Sequence, residues 1–117
     1  AIEATPTESS ASGPGDRAIE RWQSLIDRNW DKAYMFETPG YRQSYTVHNM
    51  RDAYGDSVIW KSIKLLNAKQ NDEQGTADIN LELSSVFMDS GGGEMVIPSV
   101  FTERWLLKDG EWWFVRK

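Results

Sequence analysis

Thr102-Glu-Arg-Trp-Leu-Leu-Lys-Asp-Gly-Glu-Trp-Trp-Phe-Val-Arg-Lys117 carries the clearest folding instruction in the chain. Asp109-Gly110 suits a two-residue type I′ turn, whose central residues both need positive φ. Such a turn sets Lys108 opposite Glu111, Leu107 opposite Trp112, Leu106 opposite Trp113 and Trp105 opposite Phe114; continued outward, it sets Glu103 opposite Arg116. Side chains alternate along a strand. Trp105, Leu107, Trp112 and Phe114 therefore share one face, with Glu103 and Arg116 at its far end, and this face is expected to be a core or pocket wall. Arg104, Leu106, Lys108, Glu111, Trp113 and Val115 share the other face.

Upstream of this hairpin the pattern keeps a period of two back to Val58. A strand is expected near 58–71, a turn at 72–75, a second strand near 76–88 and a glycine loop at 89–94. In the second strand Ala77, Ile79, Leu81 and Leu83 alternate with Asp78, Asn80, Glu82 and Ser84, which marks one buried and one wet face. Pro98 predicts an edge position or a bulge that bends the sheet, since proline cannot donate to a ladder. Gly91-Gly92-Gly93 reads as a hairpin tip, because a phosphate loop would need a Lys-Ser/Thr and a following helix.

Before Val58 the period is helical. Ala18, Ile19, Trp22, Leu25 and Ile26 fall on one face of a helix opening at Asp16, with Arg17, Glu20, Arg21, Gln23 and Arg28 on the other. A short helix is expected over 31–36, ended by Pro39-Gly40, followed by a turn carrying Tyr41 and Arg42. A third runs from Val47 to Tyr54, with Thr46 as N-cap and Gly55 as stop. Helices followed by four antiparallel strands predict the α+β class, with the helices on the concave face of a strongly bent, cone-shaped half-barrel sheet.

Bulk properties narrow the function classes. The 117 residues suit one domain with one core. A net charge of −5 would repel a phosphate backbone, and no Lys/Arg cluster offsets it, which argues against nucleic acid as a partner. The absence of cysteine excludes disulfides, thiolate metal sites and cysteine nucleophiles. No apolar run approaches the ~20 residues of a membrane span. Residues 1–15 are small, polar and rich in helix breakers, so they read as a tether ahead of a domain at 16–117. Opening on Ala1 suits a mature exported protein, whether periplasmic, secreted or lipid-tethered, and suits a trimmed chain nearly as well.

Two passages resemble the nuclear transport factor 2-like superfamily, in particular its small bacterial, often secreted members. They are Ala33-Tyr34 with Pro39-x-Tyr41-Arg42, and Trp105-x-Leu107-x-x-Gly110-x-Trp112. The resemblance spans roughly 16–117 and is one of fold, an architecture shared with ketosteroid isomerase and scytalone dehydratase. It implies a pocket between helices and concave sheet, and frequently a dimer through the sheet. Because the superfamily hosts isomerases, dehydratases, ligand binders and docking modules, it does not name the use of the pocket.

For acid–base chemistry the pocket would need a general base and a neutral donor. Glu103 is the candidate base and Tyr34 or Tyr41 the candidate donor. The hairpin register sets Arg116 across from Glu103, however, which favours a structural ion pair. His48, the only histidine, lacks a spaced carboxylate and reads as a surface residue. As a binding site the pocket would be walled by Trp60, Trp105 and Trp112, with Tyr34, Tyr41 and Arg42 at its mouth, although strand-spaced aromatics are more often plain core. Arg42 could hold an anionic ligand or pair with Glu37, and Trp22 and Trp30 read as helix-to-sheet packing. No cofactor motif appears, and a metal site would need three carboxylates that the chain scatters over solvent faces.

The expected function is therefore non-catalytic binding of a small apolar or amphipathic molecule, or of a protein partner. The alternatives are an isomerase or hydro-lyase in the same cavity, and a structural module dimerising through Leu106, Trp113 and Val115 on the outer sheet face.

Overall fold

The computed structural model describes residues 13–54, 59–88 and 90–116. Four helices precede a four-stranded antiparallel meander: α1 (Pro14–Ile26), α2 (Trp30–Tyr34), α3 (Pro39–Ser44), α4 (Val47–Tyr54), then β1 (Ile59–Asn71), β2 (Thr76–Met88), β3 (Glu94–Lys108) and β4 (Glu111–Val115). The sheet order is β1-β2-β3-β4, curved and unclosed, and the class is α+β.

α1 starts two residues earlier than its apolar spacing suggests. Pro14 occupies the first helical turn, where its missing N–H costs nothing, and Gly15 lies against Leu65 and Ala68 of β1. Ala18, Trp22 and Leu25 are buried at i, i+4 and i+7, but so is Arg21, which the sequence pattern assigned to the wet face. The helix closes with a Schellman motif. Arg28 takes the left-handed conformation at φ 60°, its N–H bonds to the Leu25 carbonyl and the Asn29 N–H to that of Ser24.

Pro39-Gly40 begins a helix where a break was expected. Thr38 caps α3, its Oγ1 accepting from the Tyr41 N–H at 3.2 Å, and Pro39 again supplies the first turn. α4 has the expected bounds, and Thr46 caps it reciprocally with Asn49; its expected stop at Gly55 lies outside the described residues, as do residues 1–12 and the Val58 start of the first strand.

The terminal hairpin has the expected register from Lys108↔Glu111 to Trp105↔Phe114. Asp109 and Gly110 take φ of 56° and 81°, the two positive values of a type I′ turn. Ala77, Ile79, Leu81 and Leu83 are buried on the helix side, and Trp105 and Trp112 complete the core with Phe36 and Met50. Leu107 sits at the tip of that face and is exposed.

Pro98 lies within β3, and the β2–β3 register passes through it without a shift. The shifts are in β1, between Trp60 and Ser62 and between Leu65 and Asn67. Since Lys108 exchanges bonds with Glu111 in a two-residue hairpin, even-numbered residues of β3 point their backbone groups to the β4 side. The Leu107 N–H, bonded to the Gly75 carbonyl at 2.7 Å, points the other way. Pro98 thus turns its nitrogen to an edge left open because β4 pairs only with residues 104–108 of β3.

Candidate functional site

Where β4 ends, β3 continues paired only with β2, and the step between β3 and β4 opens a cavity of about 340 Å³. Trp22 of α1, Tyr54 of α4, Phe101 of β3 and Phe114 of β4 provide its aromatic walls, while Arg21 and Glu103 form its polar end. Trp22 is held edge-on to Trp60 and Phe101, at centroid distances of 5.5 and 5.6 Å. Tyr54 is edge-on to Trp60 at 5.5 Å. These perpendicular contacts suit the ring quadrupoles and fix the walls.

The polar end belongs to a buried chain of alternating charges. Glu103 Oε2 accepts from Arg21 Nη1 at 3.2 Å and from the Trp22 indole at 2.7 Å, and Oε1 accepts from the Trp105 indole at 3.2 Å. Arg21 Nη2 donates to the Tyr54 hydroxyl and lies 3.9 Å from Glu37 Oε2. Glu37 is itself held bidentately by Arg116, Nε to Oε1 at 2.9 Å and Nη2 to Oε2 at 2.8 Å. Two carboxylates thus meet two guanidinium groups with no net charge. Burial works to lower the pKa of Arg116, but the bonds to Glu37 together with the charge interactions of Tyr54, Glu37 and Tyr41 outweigh it and leave the pKa raised.

The expected Glu103–Arg116 pair is therefore not formed. Glu37 comes from the segment after α2, whose backbone pairs with β4: the Phe114 N–H bonds to the Phe36 carbonyl at 2.9 Å, and Glu37 bridges Phe114. That bridge carries a second carboxylate to Arg116, and α1 carries Arg21 to Glu103. Cross-strand register alone cannot anticipate either partner.

The other residues nominated from sequence lie as follows. Trp105 and Trp112 are buried in the core and do not line the cavity; Trp60 stands behind its wall. The Tyr34 hydroxyl donates to the carbonyls of Tyr45 and Arg42 at 2.6 and 3.1 Å. Tyr41 stacks on Tyr45 at 4.8 Å and lies under the Arg116 guanidinium. Arg42 donates to the Glu37 backbone carbonyl, not its carboxylate, and packs over Trp113. All three fasten the α2–α3 segment. His48 is exposed as expected, but it does have a spaced carboxylate: Asp52, one turn on, lies 3.3 Å away.

Sequence reasoning passed over Tyr54 and Phe101, put Arg21 on the wet face and gave Glu37 to Arg42, while Phe114 stands on the face expected to be a core or pocket wall. For Arg21 a signal existed: it stands three residues after Ala18 and one before Trp22, inside the buried stripe of α1. A charge in that stripe requires a buried partner.

Among the described residues no cluster of metal-ligating side chains occurs, and no helix is long and apolar enough to cross a membrane. No family model and no curated protein matches the chain. Among solved structures, the solution structure of a SEC-C motif-containing protein from Rhodopseudomonas palustris is similar at a TM-score of 0.64, with 16% identity over 92% of this chain and 79% of that one. The association domain of C. elegans CaMKII is similar at 0.48, with 14% identity over 86% of this chain and 90% of that one. At such identities likeness speaks to fold alone.

Proposed function

We propose that this chain is a non-catalytic binding domain of the nuclear transport factor 2-like type, taking a small apolar or amphipathic molecule in the cavity between its helices and curved sheet. The observation that carries this reading is the cavity itself. Its volume of about 340 Å³ falls within the range of roughly 300–1,000 Å³ typical of ligand pockets. Four aromatic side chains wall it together with the polar residues Arg21, Thr102, Glu103 and Arg104, as suits an amphipathic guest.

Binding is favoured over catalysis by the state of Glu103. A general base needs an oxygen free to take a proton from the substrate, whereas three N–H donors already occupy this carboxylate. The isomerase or hydro-lyase alternative would leave the base only the lone pair of Oε1 that the Trp105 indole does not take.

Titration with neutral aromatic fragments, followed by backbone and indole N–H chemical shifts, tests the reading. Shifts should cluster at Trp22, Tyr54, Phe101 and Phe114, and Phe101→Glu, which places a charge in the aromatic wall on the helix side of β3, should remove those at the other three. Scattered shifts, or shifts unchanged in that variant, would rule out a binding role for this cavity.

A second reading, association of two copies through the outer sheet face, is favoured at a different place from the one expected. Leu106, Trp113 and Val115 are each partly buried within the chain; the Trp113 ring lies near the guanidiniums of Arg17 and Arg42, and Val115 lines the cavity. The exposed apolar area of that face lies at its opposite end, on Ile59, Met88, Val96 and Val100.

A further inference from the structure

We infer that the open edge of β3 beside the cavity takes an extended, uncharged peptide segment as an added strand, with one aromatic side chain of that segment entering the cavity. This rests on the cavity being a binding site and names the kind of guest. Even-numbered residues of β3 turn their backbone groups to the β4 side, and β4 ends at Val115, opposite Arg104. The β2–β3 ladder runs past this point without a shift. Val100 and Thr102 therefore present two N–H and two C=O groups that have no backbone partner among the described residues. Both residues are exposed, Val100 at 66%.

An exposed strand edge is a template for a further strand, and proteins guard such edges with charges or proline. From Met95 to Thr102 there is no charge, and Pro98 is the one guard. The same proline selects the occupant. The open edge runs from Glu94 to Thr102 with Pro98 at its middle, so two copies paired along it about a two-fold axis would lose ladder bonds to the proline of each chain. A short segment alongside Val100 and Thr102 passes the proline by.

Alternation then places the side chains of the segment. Its residues opposite Thr102 and Val100 exchange both ladder bonds with them. The residue between lies opposite Phe101, on the helix side of the sheet, where Trp22, Tyr54, Phe101 and Phe114 line the cavity. An aromatic side chain there forms a cross-strand pair with Phe101. Arg21, Glu103, Glu37 and Arg116 already neutralise one another, so a charged side chain would enter with no counter-charge to meet it. Backbone bonds supply the affinity of such an added strand, and the pocket selects its side chain.

The capped tripeptide acetyl-Thr-Phe-Thr-amide carries the two donors, two acceptors and central ring that this geometry asks for. Titrated into the full chain, it should move the amide N–H resonances of Val100 and Thr102 together with the Trp22 indole. Methylating both of its Thr nitrogens should weaken binding at least about tenfold, whereas methylating the Phe nitrogen, which faces away from the edge, should not. A doubly methylated peptide that binds as tightly, or a peptide that moves nothing while neutral aromatic fragments still move Trp22 and Phe101, would overturn the inference and leave the cavity reading standing. A Thr102 amide that responds to the protein's own concentration and not to the peptide would assign the edge to a second copy and overturn the inference. No response at Trp22 or Phe101 to peptide or fragments would overturn both the inference and the cavity reading.

Discussion

Glu37 is fully buried and holds two guanidiniums in place, so its removal has a calculable cost. In Glu37→Ala, Arg116 loses both charge-assisted bonds and Arg21 a nearby counter-charge. Breaking one side of a buried pair typically costs about 3–5 kcal/mol, because the remaining charge is left uncompensated. Urea denaturation should show that loss, and the double variant Glu37→Leu/Arg116→Met should recover most of it. A single variant within about 0.5 kcal/mol of wild type would mean that the pair is not a buried ionic contact. Tyr41 allows a test by pH. Burial raises its pKa above the usual phenol value of about 10, against the opposing pull of Arg116 beneath which it lies. The fold therefore favours the neutral phenol. Its contribution to stability is complete below about pH 10 and lost as pH rises through the folded value. Thermal melts across that range should fall less steeply in Tyr41→Phe than in wild type, and parallel curves would exclude the effect. At this scale the sequence was least legible: Tyr34, Tyr41 and Arg42 are tied to neighbouring carbonyls and rings, and which partner a buried charge finds depends on chain segments 79 and 82 residues away.

Elements were more legible wherever one local rule decided them. The Asp109-Gly110 turn set the register of β3 and β4 because only a narrow choice of residues accepts two successive positive φ values. Gly110→Ala should cost about 1–2 kcal/mol, the penalty for placing a Cβ in the left-handed region, whereas Gly110→Asn should cost less; equal melting temperatures for the two variants would contradict the turn assignment. α3 was misread because Pro39 plays two parts. It cannot continue α2, yet behind a Thr cap it opens a new helix, and Thr38-Pro39 is that signature. The bulges of β1 also left a trace. Trp60, Ile63, Leu65 and Ala68 pair with Ser85, Leu83, Leu81 and Ile79 on the helix side, so their spacing runs three, two, three in place of a strict two. Pro98 attracted the bulge instead, since proline also marks edges, and the short β4 made its position an edge.

At the scale of the whole molecule the outer face of the sheet is divided. Near the β1–β2 turn it carries charged and amide ladders, with Lys69 and Arg104 flanking Asp78, and Asn67 and Thr102 flanking Asn80. Toward the other end the rows become Ser62–Ser84–Pro98 and Ile59–Val86–Val96, with Val100 beside Glu82. Three strands about 4.8 Å apart, over the length from Glu94 to Val100, give that apolar end a footprint on the order of 300 Å². This is about the low end of the roughly 300–600 Å² of the largest apolar patch on a typical monomer, and below the roughly 800 Å² per partner of a tight interface. Two copies packed about a two-fold axis would set this end against itself while the charged ladders stayed in water, so the expected behaviour is a weak, concentration-dependent dimer. Val100 is 66% exposed and touches little of its own chain, so Val100→Lys should abolish the dimer in sedimentation equilibrium without lowering the melting temperature. Trp113→Glu should do the reverse, because its ring packs near Arg17 and Arg42 within one chain. A wild-type protein that stays monomeric at the highest soluble concentration would remove the second reading and leave the cavity as the feature that calls for a function.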